Sequence, residues 1–122
     1  MITKRTILNC ADNSGALKLQ CIGFVGLGNR NYATLGDTIV CSIKKAEPNR
    51  QLKPGNVVRA IVVRQKKPFR RKNGTWIRFE ENACVIINER GELVGNRIFG
   101  PLPREIKEKG FIKIANLAEE IV

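Results

Sequence analysis

Between Arg64 and Arg78, in RQKKPFRRKNGTWIR, seven side chains are basic and none is acidic. Arg64, Lys66, Lys67, Arg70, Arg71, Lys72 and Arg78 are therefore the residues whose type and spacing carry chemistry. That chemistry is neutralisation of a polyanion. So many like charges in one segment repel one another unless closely spaced anions, such as phosphates, face them. Two aromatic residues interleave with the cations. Trp76 sits in an alternating stretch, which favours anchoring to the body over stacking on bases; for Phe69 both roles stand equally. A solvated face or a protected sheet edge is the competing interpretation, and the lack of any acid across the run weighs against it.

A second basic group, Lys44, Lys45, Arg50 and Lys53, surrounds the loop at 47–55. It extends the same positive surface if it lies beside the first. Arg97 stands in GNRIFGP (95–101) between two glycines, with Ile98 and Phe99 expected in the core. DNSG (12–15) reads as a type I turn, with a small anion nest of backbone amides as the alternative.

The charge is concentrated rather than general. Residues 1–40 carry four bases and two acids, 41–78 twelve bases and one acid, and 79–122 six bases and eight acids. The middle third thus holds the whole formal excess of +11, as a nucleic-acid footprint does. Catalysis has few resources here. The chain has no histidine, which excludes Ser-His and Cys-His dyads and any imidazole base. Cys10, Cys21, Cys41 and Cys84 form no CxxC pair and lie among apolar neighbours. They read as small, buried, reduced hydrophobes rather than as a zinc site or disulfides. No catalytic residue, metal ligand or cofactor is assigned, and an enzyme is not expected. No apolar run approaches the roughly 18 residues that span a bilayer, and MITKRTILNC lacks the apolar stretch of a signal peptide.

The elements that position the cations follow from periodicity. The chain of 122 residues reads as a single domain, 1–122, mainly β. Five or six short strands are expected to close residues 1–100 into a small barrel with a basic hairpin at 64–79, and 101–122 are expected to form short helices. TILNCA (6–11), ALKLQCIGFVG (16–26), TIVCSIKKA (38–46), NVVRAIVV (56–63), GTWIRF (74–79) and ACVIIN (83–88) read as strands. Leu17, Leu19 and Cys21 share one face by alternation, as do Ile39, Cys41 and Ile43. Closure into a barrel removes exposed edges. Asn73-Gly74 predicts a type I′ hairpin turn, and Pro68 predicts interrupted pairing, so 64–79 is expected as an extended, partly detached arm that orders on RNA. PREIKEKG (103–110) reads as a helix with a Glu105–Lys109 pair. FIKIA (111–115) reads as a strand, and Asn116 with Glu119 as a capping box for a last helical turn.

The same segments bear a resemblance. AIVV (60–63), nine residues, Asn73-Gly74, four residues, Phe79, two residues, Asn82, two residues and Val85-Ile86 resemble the signature of the universal large-subunit ribosomal protein fourteen family. LNCADNSGA, NYATLGD (31–37), NACVIIN, GNRIFGP and the closing KI..LA.E.. are similar to it too. The resemblance covers essentially the whole chain and, by length, its bacterial and organellar branch. It implies a five-stranded β-barrel and a structural role in translation, binding large-subunit ribosomal RNA directly. It implies a place facing the small subunit, with bridges to small-subunit RNA, and contacts with large-subunit ribosomal proteins three and nineteen. It also implies docking of a ribosome-silencing factor around Arg97 and Lys113, although Asn96 stands where the family more often has Thr. Cys10 and Cys41 depart from the family at apolar positions. The implied location is the ribosome of a bacterial cytoplasm, mitochondrion or plastid. RNA binding would work by phosphate neutralisation plus shape recognition. The rival is a free-standing RNA chaperone of the oligonucleotide-barrel type, which needs a strand face of stacking aromatics, and the chain has only seven aromatic residues.

Overall fold

The computed structural model describes residues 1–122. Strands β1 (Ile7–Cys10), β2 (Ala16–Phe24), β3 (Thr38–Ala46) and β4 (Val57–Arg64) follow one another. A hairpin of β5 (Phe69–Arg70) and β6 (Trp76–Ile77) then interrupts the sheet before β7 (Ala83–Ile87). Strands β1, β2, β3, β4 and β7 form a closed barrel, as the strand pattern predicted, with the five strands that the resemblance implies. Neighbours pair antiparallel except at the seam, where β1 runs parallel to β7 with Cys10 opposite Cys84.

Directly opposed residues in a ladder share a face, so the register identifies the barrel interior. Leu8, Leu19 and Ile43 oppose one another in turn, and so do Ile39, Ala60 and Ile86. All are fully buried or nearly so, and each large aliphatic among them contributes about 1.5–3 kcal/mol by leaving water. The four cysteines line this interior too: Cys21 opposes Cys41, and Cys10 opposes Cys84. All four are free thiols. Burial, with the carboxylate of Asp12 close by, pushes Cys10 up to about 12. Burial and the neighbouring Cys41 push Cys21 up to about 11. Such thiols stay protonated and behave as the small hydrophobes expected.

Strands β4 and β7 show no alternation of exposure over Ala60–Val63 and Ala83–Ile87. Their outer faces are also covered. Ile98, Leu102, Ile106 and Ile114 from the C-terminal region join Ile61, Val63 and Val85 in one continuous core. That region comprises β8 (Ile98–Leu102), α1 (Arg104–Glu108), α2 (Ile112–Leu117) and β9 (Ala118–Ile121), with β8 and β9 paired in parallel. No helix is long and apolar enough to cross a membrane.

Several local expectations are corrected. Leu17 points outward while Leu19 and Cys21 point in, because a register shift at Lys18 inserts a bulge that reverses the alternation. FIKIA is not a strand. Ile112–Leu117 is helical, and Ile114 and Ala115 are buried with Phe111 packed against the core, which is the i, i+3, i+4 spacing of a helix face. The capping box at Asn116 does not form. Residues 118–121 pair with β8, and the Glu119 carboxylate accepts from Gly100 N–H at 3.1 Å. Helix α1 forms as expected after Pro103, but without the Glu105–Lys109 pair. Glu105 binds Arg71 instead, and Lys109 Nζ donates to the carbonyl of Leu35.

Candidate nucleic-acid interface

The hairpin leaves the barrel at Arg64, and its root is built around that side chain. The Arg64 side chain is only 7% exposed. Its Nη1 donates to the carbonyls of Phe99 (2.9 Å) and Pro101 (3.0 Å), and its Nη2 to Glu81 Oε1 (2.8 Å). Asn9 Nδ2 donates to the other Glu81 oxygen. Gly100, between the two carbonyls, has φ +81° and faces the guanidinium so closely that a Cβ would lie 2.8 Å from Arg64 Nη1. The planar fork satisfies two main-chain acceptors and a carboxylate at once. Arg64 therefore ties β4 to β8, with its guanidinium engaged within the fold. Two further bonds fasten the root. Lys66 N–H donates to Asn82 Oδ1 (2.8 Å), and Phe79 N–H to the Gln65 carbonyl (3.1 Å).

Beyond the root the hairpin is two-sided. Phe69 opposes Ile77 and Arg70 opposes Trp76. Phe69, Arg71, Ile77 and Phe79 are half-buried, whereas Arg70, Lys72, Trp76 and Arg78 are exposed. This is the period-2 alternation of a strand pair lying against a surface. The turn is one residue longer than the predicted type I′. Gly74 N–H donates to the Arg71 carbonyl (3.0 Å) and Arg71 N–H to the Thr75 carbonyl (2.8 Å). Only Gly74 takes positive φ, at +85°, which is a type I turn closed by a left-handed glycine. Asn73 serves through its side chain, accepting from Thr75 N–H at 3.0 Å.

The inner face is clamped to α1. Arg71 Nε and Nη2 form a bidentate pair with Glu105 at 2.8 and 2.9 Å, and Nη2 also donates to the main-chain oxygen of Val122 at 2.6 Å. The Arg71 side chain is 10% exposed, and its guanidinium lies 6.0 Å from the centre of the Phe69 ring. Partial burial pushes Glu105 up, but the hydrogen bonds from Arg71 outweigh this and hold its carboxyl below the ordinary value. Arg71 is thus held within the fold by Glu105. The arm is not detached. The anchoring expected of Trp76 is corrected: it is 64% exposed, while Phe69 packs against the core.

The remaining cations of the run, Lys66, Lys67, Arg70, Lys72 and Arg78, are all exposed and none pairs with an acid. The second group lies elsewhere. Lys44 and Lys45 lie in β3 just beyond Ser42, which pairs with Val57 of β4, whereas the arm roots at Arg64. The seven steps of β4 between them span roughly 23 Å. The two basic groups are therefore separated along β4, although across the ladders Lys45 opposes Lys18, and Lys18 opposes Asn9, whose amide meets Glu81 at the root of the arm. Lys44, Lys45 and Lys53 are exposed. Arg50 is partly occupied, donating to the Asn13 carbonyl (2.7 Å) and meeting Glu47 at 3.4 Å. Lys18 joins this group by register, opposite Lys45. Sequence reasoning missed it, because a lone base in an alternating strand reveals its neighbour only through strand pairing. Two like charges so placed destabilise each other unless an anion intervenes.

DNSG holds an anion of its own. Asp12 is buried, and accepts from Ser14 N–H (3.1 Å), Ser14 Oγ (2.6 Å) and Ile86 N–H (2.9 Å). Asn13 Oδ1 accepts from the amides of Asn96 (2.9 Å) and Arg97 (3.1 Å) and so shapes the 95–97 bend. Beyond it Ile98 is buried as expected, but Phe99 is exposed, with Arg97 stacked 5.6 Å from its ring centre. Asn96 and Lys113 border one groove together with Ile87, Leu93, Phe111 and Ile112. When the chain is compared with known protein families, the model of ribosomal protein L14p/L23e matches residues 1–122, its full length.

Proposed function

Because the chain belongs to the ribosomal protein L14p/L23e family, and so has a structural role in the large ribosomal subunit during translation, we propose that it binds large-subunit ribosomal RNA directly through the outer face of the hairpin. The observation that carries this reading is the division of the hairpin into two faces. Its inner face is neutralised by Glu105, and its outer face presents Arg70, Lys72 and Arg78 without an acidic partner. Lys66 and Lys67 continue that positive surface toward the root. Groups placed this way meet backbone phosphates at fixed spacing, and the clamp on α1 limits the entropy lost on binding.

Lys44, Lys45, Lys53 and Lys18, with Arg50 partly free, form a second contact outside the hairpin. Two cationic sites suit a protein lodged between RNA segments, including small-subunit RNA at the bridges between subunits. Contacts with large-subunit ribosomal proteins three and nineteen belong to the same reading. So does docking of a ribosome-silencing factor at the groove beside Arg97 and Lys113. The bacterial or organellar branch is the setting proposed for it.

Hydroxyl-radical footprinting of large-subunit RNA with this chain tests the proposal. Protection is expected at discrete backbone positions and should be lost when Arg70, Lys72 and Arg78 are changed together to Ala. Protection that survives that change would refute it.

A further inference from the structure

We propose that Trp76 is a stacking platform for one unpaired nucleobase, so that the hairpin selects RNA with a bulged or unstacked nucleotide. The inference rests on the RNA-binding reading above and gives it a ligand preference. Trp76 is the most exposed of the large hydrophobic side chains, at 64%, although the same hairpin has an inner face that takes in Phe69, Ile77 and Phe79. The ring is also unoccupied by the protein's own cations. The arginine–ring stackings in the molecule are Arg30 on Tyr32, Arg71 on Phe69 and Arg97 on Phe99, and Trp76 takes part in none.

The surroundings say what the ring would take. Arg70 lies directly opposite in the ladder, Arg78 two residues along the strand, and Lys72 at the turn, all on the exposed side and without acidic partners. An apolar π face bracketed by cations complements a nucleotide, which offers a flat base between two phosphates. A cationic ligand would be repelled by the three neighbours. A perfect RNA duplex supplies phosphates but no base face, because its bases are stacked within the helix.

The chain has one tryptophan, so intrinsic fluorescence reports this position alone. The probes are a short RNA hairpin carrying a single bulged adenosine and the same hairpin without the bulge. The bulged RNA is expected to quench Trp76 and to bind roughly tenfold tighter than the perfect duplex. Measured by filter binding, since the variants carry no tryptophan, Trp76→Phe should keep that preference. Trp76→Val should abolish it without changing the dependence of affinity on salt, since no phosphate contact is removed. Because the side chain is exposed, neither variant should unfold. Equal affinity for the two RNAs with unquenched fluorescence would overturn the inference and leave the ring for a protein partner. If neither RNA bound with salt-dependent affinity, the RNA-binding reading would fall, and this inference with it.

Discussion

On the inner face of the hairpin Arg71 is held by two hydrogen bonds to Glu105. On the outer face its sequence neighbour Arg70 is exposed and has no acidic partner. The two faces carry similar residues, an aromatic ring among guanidinium groups, and use them in opposite ways. Inside, Phe69 packs and Arg71 is neutralised within the fold; outside, Trp76 and Arg70 face solvent. Charge density along a sequence therefore overstates the number of ligands available to a polyanion. A strand pair laid on a surface turns every second cation inward, where it must find a carboxylate or cost several kcal/mol.

The comparison can be broken most forcefully at the root. Arg64→Met would leave Glu81 without its cation and the carbonyls of Phe99 and Pro101 without a donor. A loss of about 3 kcal/mol is expected in urea unfolding. A loss below about 0.5 kcal/mol, the level of a neutral surface change, would mean that Arg64 is not the internal tie described. Next comes the neighbouring pair. Arg71→Ala should cost about 2 kcal/mol, whereas Arg70→Ala should stay within about 0.5 kcal/mol of the parent. Equal costs would erase the distinction between the faces.

Glu105→Gln sharpens the comparison through a sign. Removing a carboxylate near a polyanion site would by charge alone raise RNA affinity. If Glu105 holds the hairpin in its binding orientation, affinity should instead fall severalfold in a filter-binding assay, with a stability loss of about 1 kcal/mol. The smallest effect is with pH. The folded-state pKa of Glu105 lies below its ordinary value of 4.5. The pair therefore stabilises the fold fully above that value and loses its contribution as pH falls through the lowered one. Protection of residues 69–77 against amide exchange, relative to intrinsic exchange at the same pH, should fall below about pH 4.5 before protection in β7 does; simultaneous loss would show that the clamp is not local.

Much of the barrel was legible because its strands obey period 2 or are continuously apolar. TIVCSIKKA became β3 with the boundaries read from sequence, and AIVV sits fully buried in β4. What escaped depends on contacts distant in sequence. Residues 118–121 favoured a helical turn locally but pair with β8. Ile112–Leu117 fitted a strand over its first residues, yet presents a helical face to the core. Lys18 joined the basic residues only through its register with Lys45. In the arm, the seven cations were visible, but not their division. The carboxylates that claim Arg64 and Arg71 lie 17 and 34 residues away, and no local pattern announces them.

The salt dependence of affinity for a large-subunit RNA fragment, measured for the parent chain and for the variant with Arg70, Lys72 and Arg78 all changed to Ala, tests the central claim most directly. With about six phosphates neutralised, log affinity of the parent should fall against log salt with a slope of roughly −4 to −5. The triple variant should flatten that slope by about 2 to 3, and Arg71→Ala should leave it unchanged. A parent slope near zero, or a slope altered as much by Arg71→Ala as by the outer-face variant, would contradict the account.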